Sequence, residues 1–191
     1  MRAGNRAFAF ALVVAFGIGG VTGTLALLPR DPDSATLIAA RPVWSELQWP
    51  FATDQWGRGR AFECSRWDCG TPVRLYLRAK LGACNCQAGV ADDAELDRMS
   101  DFDLLRGEAA PLGDGRAIAI ASMRGRSRTY ALTGPQRPGK TMVSVAFNER
   151  CDMVVATAVL AHDKPALMEP HVIEFLNSGR AMQWVENALG L

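Results

Sequence analysis

The sequence predicts an α+β fold: an N-terminal transmembrane helix, then a single domain with an antiparallel sheet and a C-terminal helix. Three observations carry this. A charge-free apolar run fills most of the first 28 residues, alternating runs suited to strands recur between Val73 and Leu160, and apolar positions spaced for one helix face close the chain after Glu169. The organisation that follows is a signal-anchor or transmembrane helix over 1–28, a linker over 29–45 and a periplasmic α+β domain over 46–191.

Composition bounds the classes. With 49% hydrophobic and 21% charged residues the chain reads as globular, not disordered. Roughly 160 residues beyond the anchor suffice for a real core. Arg2 and Arg6 are the only charges before Arg30, which leaves 19 basic against 20 acidic side chains in the rest of the chain. So neutral a domain has no general pull on phosphate backbones, and nucleic acid is not an expected partner.

Met1 to Arg6 is a short basic head, and Ala7 to Leu28 follows as 22 uncharged residues. At about 1.5 Å per residue this run crosses a hydrocarbon core of about 30 Å. Arg2 and Arg6 would stay cytoplasmic, placing Pro29-Arg-Asp-Pro-Asp33 and everything after it in the periplasm, with the chain single-pass in the inner membrane. The competing reading is a cleaved signal peptide and a secreted product, but the run is long for a signal and offers no clean Ala-x-Ala cleavage site before Leu28.

Pro29, Pro32 and Pro42 mark the linker, and Trp44, Trp49, Phe51 and Trp56 follow in quick succession. These rings either rest at a membrane interface or cover the edge of the core, and their large buried area favours the core. Arg60–Cys64 alternates as a short strand and Val73–Lys80 as a longer one, with Arg74, Tyr76, Arg78 and Lys80 on its polar side. Asp92 or Asp93 caps a helix whose buried stripe is Leu96, Met99 and Phe102. Two hairpins follow. The first pairs Ala117–Met123 with Thr129–Leu132 around an Arg124-Gly-Arg126 turn, and the second pairs Thr141–Phe147 with Met153–Leu160 around Asn148–Asp152. Four such strands suggest a meander with one covered face. Glu169-Pro170 suits a helix start, and Asn177-Ser-Gly179 a break within that last helix.

Four of the five cysteines, Cys64, Cys69, Cys84 and Cys86, lie within 23 residues. As zinc ligands Cys64-x4-Cys69 is nearly acceptable, whereas Cys84-x-Cys86 is not, though copper(I) tolerates it better. An oxidising compartment favours two structural disulfides instead. Cys84 and Cys86 would make a strained ring with each other, so the expected bonds run between the two pairs: Cys64–Cys86 with Cys69–Cys84, or the alternative pairing. Each closes a loop worth about 3 kcal/mol. Cys151 is then the free thiol. With Arg150 beside it, it could be reactive, but only His162 and His171 are available as a base and both come late in the chain.

The acidic run Asp92, Asp93, Glu95, Asp97, Asp101, Asp103 and Glu108 lacks the spacing of a calcium loop and reads as a solvated helix face. Arg124, Arg126 and Arg128 likewise read as a wet hairpin tip. No Gly-x-Ser-x-Gly, His-Glu-x-x-His or nucleotide-binding loop is present, and no Cys-x-x-Cys. No catalytic residue, cofactor or cofactor-binding residue is assigned.

Trp49-Pro-Phe51, Asp54-Gln-Trp-Gly57, Cys69-Gly70, Leu75-Tyr-Leu-Arg-Ala-Lys80 and Cys84-Asn-Cys86 together resemble a group of uncharacterised membrane-anchored bacterial proteins with a Cys-x4-Cys … Cys-x-Cys block. The resemblance covers residues 44–106 and implies no activity. The leading expectation is therefore a disulfide-stapled accessory or assembly protein, held to the inner membrane by its N-terminal helix and working through a protein partner. The alternative is a periplasmic copper- or zinc-handling protein with Cys64, Cys69, Cys84 and Cys86 as ligands. An enzyme using Cys151 comes third.

Overall fold

Every strand pairs antiparallel with its neighbour. The strands are β1 (Trp44–Leu47), β2 (Arg60–Cys64), β3 (Val73–Lys80), β4 (Glu108–Pro111), β5 (Arg116–Ile120), β6 (Met123–Thr133), β7 (Lys140–Glu149) and β8 (Asp152–Leu160). They form one sheet in the order β1-β2-β3-β8-β7-β6-β4, and β5 takes the remaining half of the long β6 edge. The helices are α1 (Arg66–Cys69), α2 (Asp93–Met99), α3 (Pro165–Leu176) and α4 (Gly179–Leu189). The computed structural model describes residues 42–105, 108–133, 139–161 and 165–191. The Ala7–Leu28 anchor, most of the 29–45 linker and His162 lie outside them. Among the described residues no helix is long and apolar enough to cross a membrane.

β7 and β8 are rich in β-branched side chains, which suits a pleated ladder, and they are buried along almost their whole length. Their alternate residues serve two interiors. Val143, Val145 and Phe147, with Val154, Ala156, Ala158 and Leu160, face α3 and α4, joined there by Val73, Leu75 and Leu77 of β3. Met142, Ala146, Met153, Val155 and Val159 face the other way, where the chain from Ala83 to Leu105, together with Trp49 and Phe51, covers them. The expectation of one covered face is thus corrected: both faces are covered. Of the residues expected on the polar side of β3, Tyr76, Arg78 and Lys80 are buried, and so are Ser144 of β7 and Thr157 of β8.

The aromatic run belongs to the core, as its buried area suggested. Trp44 stacks on Phe175 at 5.0 Å, and Trp49 and Phe51 pack edge-on against Tyr76. The turn of the first hairpin lies at Ala121–Ser122, not at Arg124–Arg126, which is inside β6. Gly125 misled for a physical reason. It is a place of close approach, where a Cβ would run into the Ala146 carbonyl and the Phe147 side chain.

α2 begins where the acids predicted, with the Asp92 carboxylate accepting from the Glu95 N–H at 2.8 Å. The last helix starts earlier than expected, at Pro165, a residue suited to the first helical position. Pro170 sits inside α3 and removes a single backbone bond. The predicted break is real: Ser178 caps α4, and Asn177 and Ser178 form the corner. That corner holds both margins of the sheet. Asn177 accepts from the Ala121 N–H at 2.7 Å, and Arg180 donates to the Trp44 carbonyl at 3.1 Å. β1 and the β5–β6 turn are therefore both tied to the helix pair.

Candidate functional site

The five cysteines divide differently from the expectation. Cys64 bonds Cys69, and Cys86 bonds Cys151, while Cys84 is a buried free thiol. The expected bonds between the two pairs are not made, and Cys151 is not the free thiol. The reason is topological. Cys64 ends β2 and Cys69 ends the single turn of α1, with Cα atoms 5.9 Å apart. Cys84 and Cys86 lie past the opposite end of β3, beside the β7–β8 turn that carries Cys151. An eight-residue strand separates the two groups, so the four sulfurs never converge and the copper or zinc site on Cys64, Cys69, Cys84 and Cys86 is not formed. The described residues contain no other group of potential metal ligands.

The Cys64–Cys69 bond closes a small rigid turn. The Ser65 hydroxyl accepts from the Trp67 and Asp68 N–H groups, and Gly70 ends the turn in the left-handed conformation. Trp67, at its apex, is 93% exposed. The two cysteines beneath it are buried. Trp44, where the chain arriving from the N-terminal segment joins the sheet, is paired with Cys64. The staple thus fixes a bare indole just past the end of β2, the strand that pairs with β1.

At the other group, the Cys84 N–H donates to the Cys151 carbonyl at 3.3 Å, and its thiol points at the Arg150 carbonyl, 3.4 Å away. Burial pushes this thiol's pKa up, and the Glu95 and Asp152 carboxylates add to the shift. At rest this thiol is therefore covered and protonated. Cys151 is oxidised, and His171 lies on α3 near Glu174.

Sequence reasoning missed a buried ion network. Arg78, Lys80 and Asp101 are 4%, 5% and 3% exposed. Arg78 grips Asp101 with two nitrogens and Asp54 with a third. Lys80 donates to the Met99 carbonyl at 2.6 Å, pairs with Asp101 at 2.8 Å, and lies 5.6 Å from the centre of the Trp56 ring. Burial works against the charge on Arg78, but Asp101 and Asp54 outweigh it and raise its pKa. These groups line an open pocket of about 660 Å³ with Arg98 and Asp103 at its rim. The charges of Arg78, Lys80, Asp101 and Asp54 cancel, and the network holds the 49–56 loop and Asp101 onto β3. The signal in the sequence was Asp101, an acid just past an amphipathic helix, which reads as solvated until its partners are known.

A second network joins α2 to β6. The Gly115 N–H and Arg126 hold the Asp93 carboxyl below its ordinary range. Arg128 pairs with Asp97 at 2.9 Å, and the Tyr130 hydroxyl donates to Asp97 at 2.5 Å. The expected wet faces are therefore each other's partners. Burial first, and then the Asp97 carboxylate, push the Tyr130 phenol well above its ordinary value of 10.0. A raised phenol pKa favours the folded state while the group is neutral, so this stability is complete below the unfolded value and lost as pH rises from about 10 towards the folded value. Tyr130→Phe should consequently show a shallower loss of unfolding free energy above pH 10 than the wild type, read by urea titration at successive pH values. Equal slopes would reject the coupling.

The Cys-x4-Cys half of the block on which the sequence resemblance rested is a disulfide in the fold, but compared with known proteins the chain matches no family model, no curated protein and no solved structure.

Proposed function

We propose that this is a membrane-anchored periplasmic accessory protein that works through protein–protein contact, with Trp67 as the centre of its contact surface. The single observation that carries the reading is the bare indole on a stapled turn. A large exposed aromatic normally finds cover, and a free protein gains nothing by presenting one rigidly. A partner's apolar pocket that buries such an anchor gains several kcal/mol, and the ordering cost has already been met by the Cys64–Cys69 bond and the Ser65 cap. Arg66 and Asp68, both exposed, flank the ring with opposite charges. That mixed pair suits a protein rim better than an anionic lipid surface, which would call for several basic residues.

The tether supports the same reading. An Ala7–Leu28 helix would hold the domain by a linker that joins the sheet at Trp44, next to the staple. Residues 29–43, fully extended, span about 50 Å at most, so the partner is a complex in the same membrane or close to it. Gentle detergent extraction of the full chain should recover the wild type in a larger assembly. Trp67→Ala should run as a single chain with an unchanged thermal midpoint, since the ring touches little of its own domain. A wild type that is monomeric at native abundance, or a Trp67→Ala protein that keeps the assembly, overturns the proposal.

A further inference from the structure

Three cysteines meet at the β7–β8 turn, and one bond joins two of them. Cys86 is bonded to Cys151, with Cα atoms 4.1 Å apart. Cys84 is held to the same residue by its backbone, through the 3.3 Å bond from its N–H to the Cys151 carbonyl. With about 1.5 Å from N to Cα and about 2.4 Å from O to Cα, that bond keeps the two Cα atoms within about 7 Å even if the path were straight. A moderate bend in that path brings them into the range where disulfides form, about 4.4–6.8 Å. Cys151 therefore has two cysteines beside it, Cys86 bonded to it and Cys84 with its thiol on the carbonyl of the preceding Arg150, and can bond one at a time.

We propose that Cys84, Cys86 and Cys151 form a thiol–disulfide exchange site, in which Cys151 passes between Cys86 and Cys84 and the exchanged form presents Cys86 as a nucleophile to external disulfides. In the internal step the Cys84 thiol loses its proton and attacks the Cys151 sulfur. The Cys84–Cys151 bond forms, the Cys86–Cys151 bond breaks, and Cys86 leaves as a thiolate that takes up a proton. The number of thiols and the oxidation state are unchanged, so no oxidant or reductant is needed. What changes is access: a buried spare thiol becomes an exposed one, because Cys84 is buried while Cys86 is exposed. In the external step the Cys86 thiolate attacks a disulfide R–S–S–R, forms Cys86–S–S–R and releases R–S⁻.

The contrast with the other bridge supports this assignment. Cys64 and Cys69 are both covered, and the third thiol lies at the opposite end of β3. Exposed bridges are the labile ones in general, and a bridge with a spare thiol already beside it has its attacking group supplied. The Cys86–Cys151 pairing is the one present in the fold. None of this depends on the contact role of Trp67.

The test uses the full chain purified without reductant and incubated with a substoichiometric small thiol. It is then quenched with acid, alkylated and mapped by tandem mass spectrometry. The alkyl label should divide between Cys84 and Cys86, with Cys151 always bonded and Cys64–Cys69 unopened. In Cys86→Ser, Cys84 should bond Cys151 and no free thiol should remain, so an aromatic disulfide probe releases no chromophore. Label on Cys84 alone after prolonged incubation overturns the proposal, as do two free thiols in Cys86→Ser. If that variant does not fold, the wild-type map decides by itself.

Discussion

Cys151→Ala should lower the thermal midpoint by about 10 °C in the absence of reductant. The Cys86–Cys151 bond spans 65 residues of sequence, and the chain-entropy reckoning gives about 4 kcal/mol for a loop of that length. For a domain of this size each kcal/mol moves the midpoint by about 2–4 °C. Cys69→Ala opens a loop spanning only 5 residues, worth about 2 kcal/mol on the same reckoning, and should cost about half as much. The ordering has a structural sense. The long bridge ties the segment that covers the second face of the sheet to the β7–β8 turn, and its neighbours reinforce it: the Asp152 carboxylate accepts from the Gly82 N–H at 2.7 Å and Asn148 from Val90 at 3.2 Å. Calorimetry of the two variants side by side is the measurement. A Cys151→Ala protein that melts within a degree or two of the wild type would show the bridge to be dispensable.

Asp101→Asn should be as damaging without touching a covalent bond. The substitution keeps the shape and removes the charge, leaving Arg78 and Lys80 buried with one carboxylate between them, on Asp54, whose side chain is 42% exposed. Breaking a buried ion network by taking out one partner costs about 3–5 kcal/mol, because the other charges stay where they are. Denaturant unfolding should show a loss of that size with an unchanged dependence on denaturant. Replacing all three members, with Arg78 and Lys80 as methionine and Asp101 as leucine, should recover much of it, since an apolar core of similar volume does not carry the desolvation cost. A loss below about 1 kcal/mol in Asp101→Asn would mean that water reaches the cations.

The elements legible in the sequence were those whose pattern is local. The Val73–Lys80 strand, the two strands around Asn148–Asp152 and the Asp92 cap each declare themselves within a few residues, and they stand where their alternation or capping put them. What the sequence hid depends on partners distant along the chain. Arg78 and Lys80 look like a wet strand face until Asp101 is brought over them, and Arg126 and Arg128 look like a turn until α2 lays Asp93 and Asp97 across β6. Disulfide connectivity was hidden for the same reason. Nearness in sequence grouped Cys84 with Cys64 and Cys69, whereas β3 runs the length of the sheet between them and delivers Cys84 and Cys86 to a turn that lies 65 residues on from Cys86. Trp67 was visible as a residue but not as an exposed one, since nothing in Ser-Arg-Trp-Asp says that the ring points outward.

The β3–β8 ladder sets the order in which this sheet can be assembled. It runs from Val73 opposite Leu160 to Lys80 opposite Met153, and among the described residues it is the only strand pairing that joins β1–β3 to β4–β8. The later strands meet their neighbours soon after they are made, with β5 beside β6, β6 beside β7 and β7 beside β8. The first three strands pair among themselves, β1 beside β2 and β2 beside β3, but the other edge of β3 has no partner before β8. On a ribosome they wait as a half-sheet with a bare edge until β8 has been synthesised, and only then can that long loop close. Their edge is a template for any other strand in the meantime. The domain is thus completed from its C-terminal side, and any factor that guards the nascent chain has the open edge of β3 (Val73–Lys80) to protect until β8 is made.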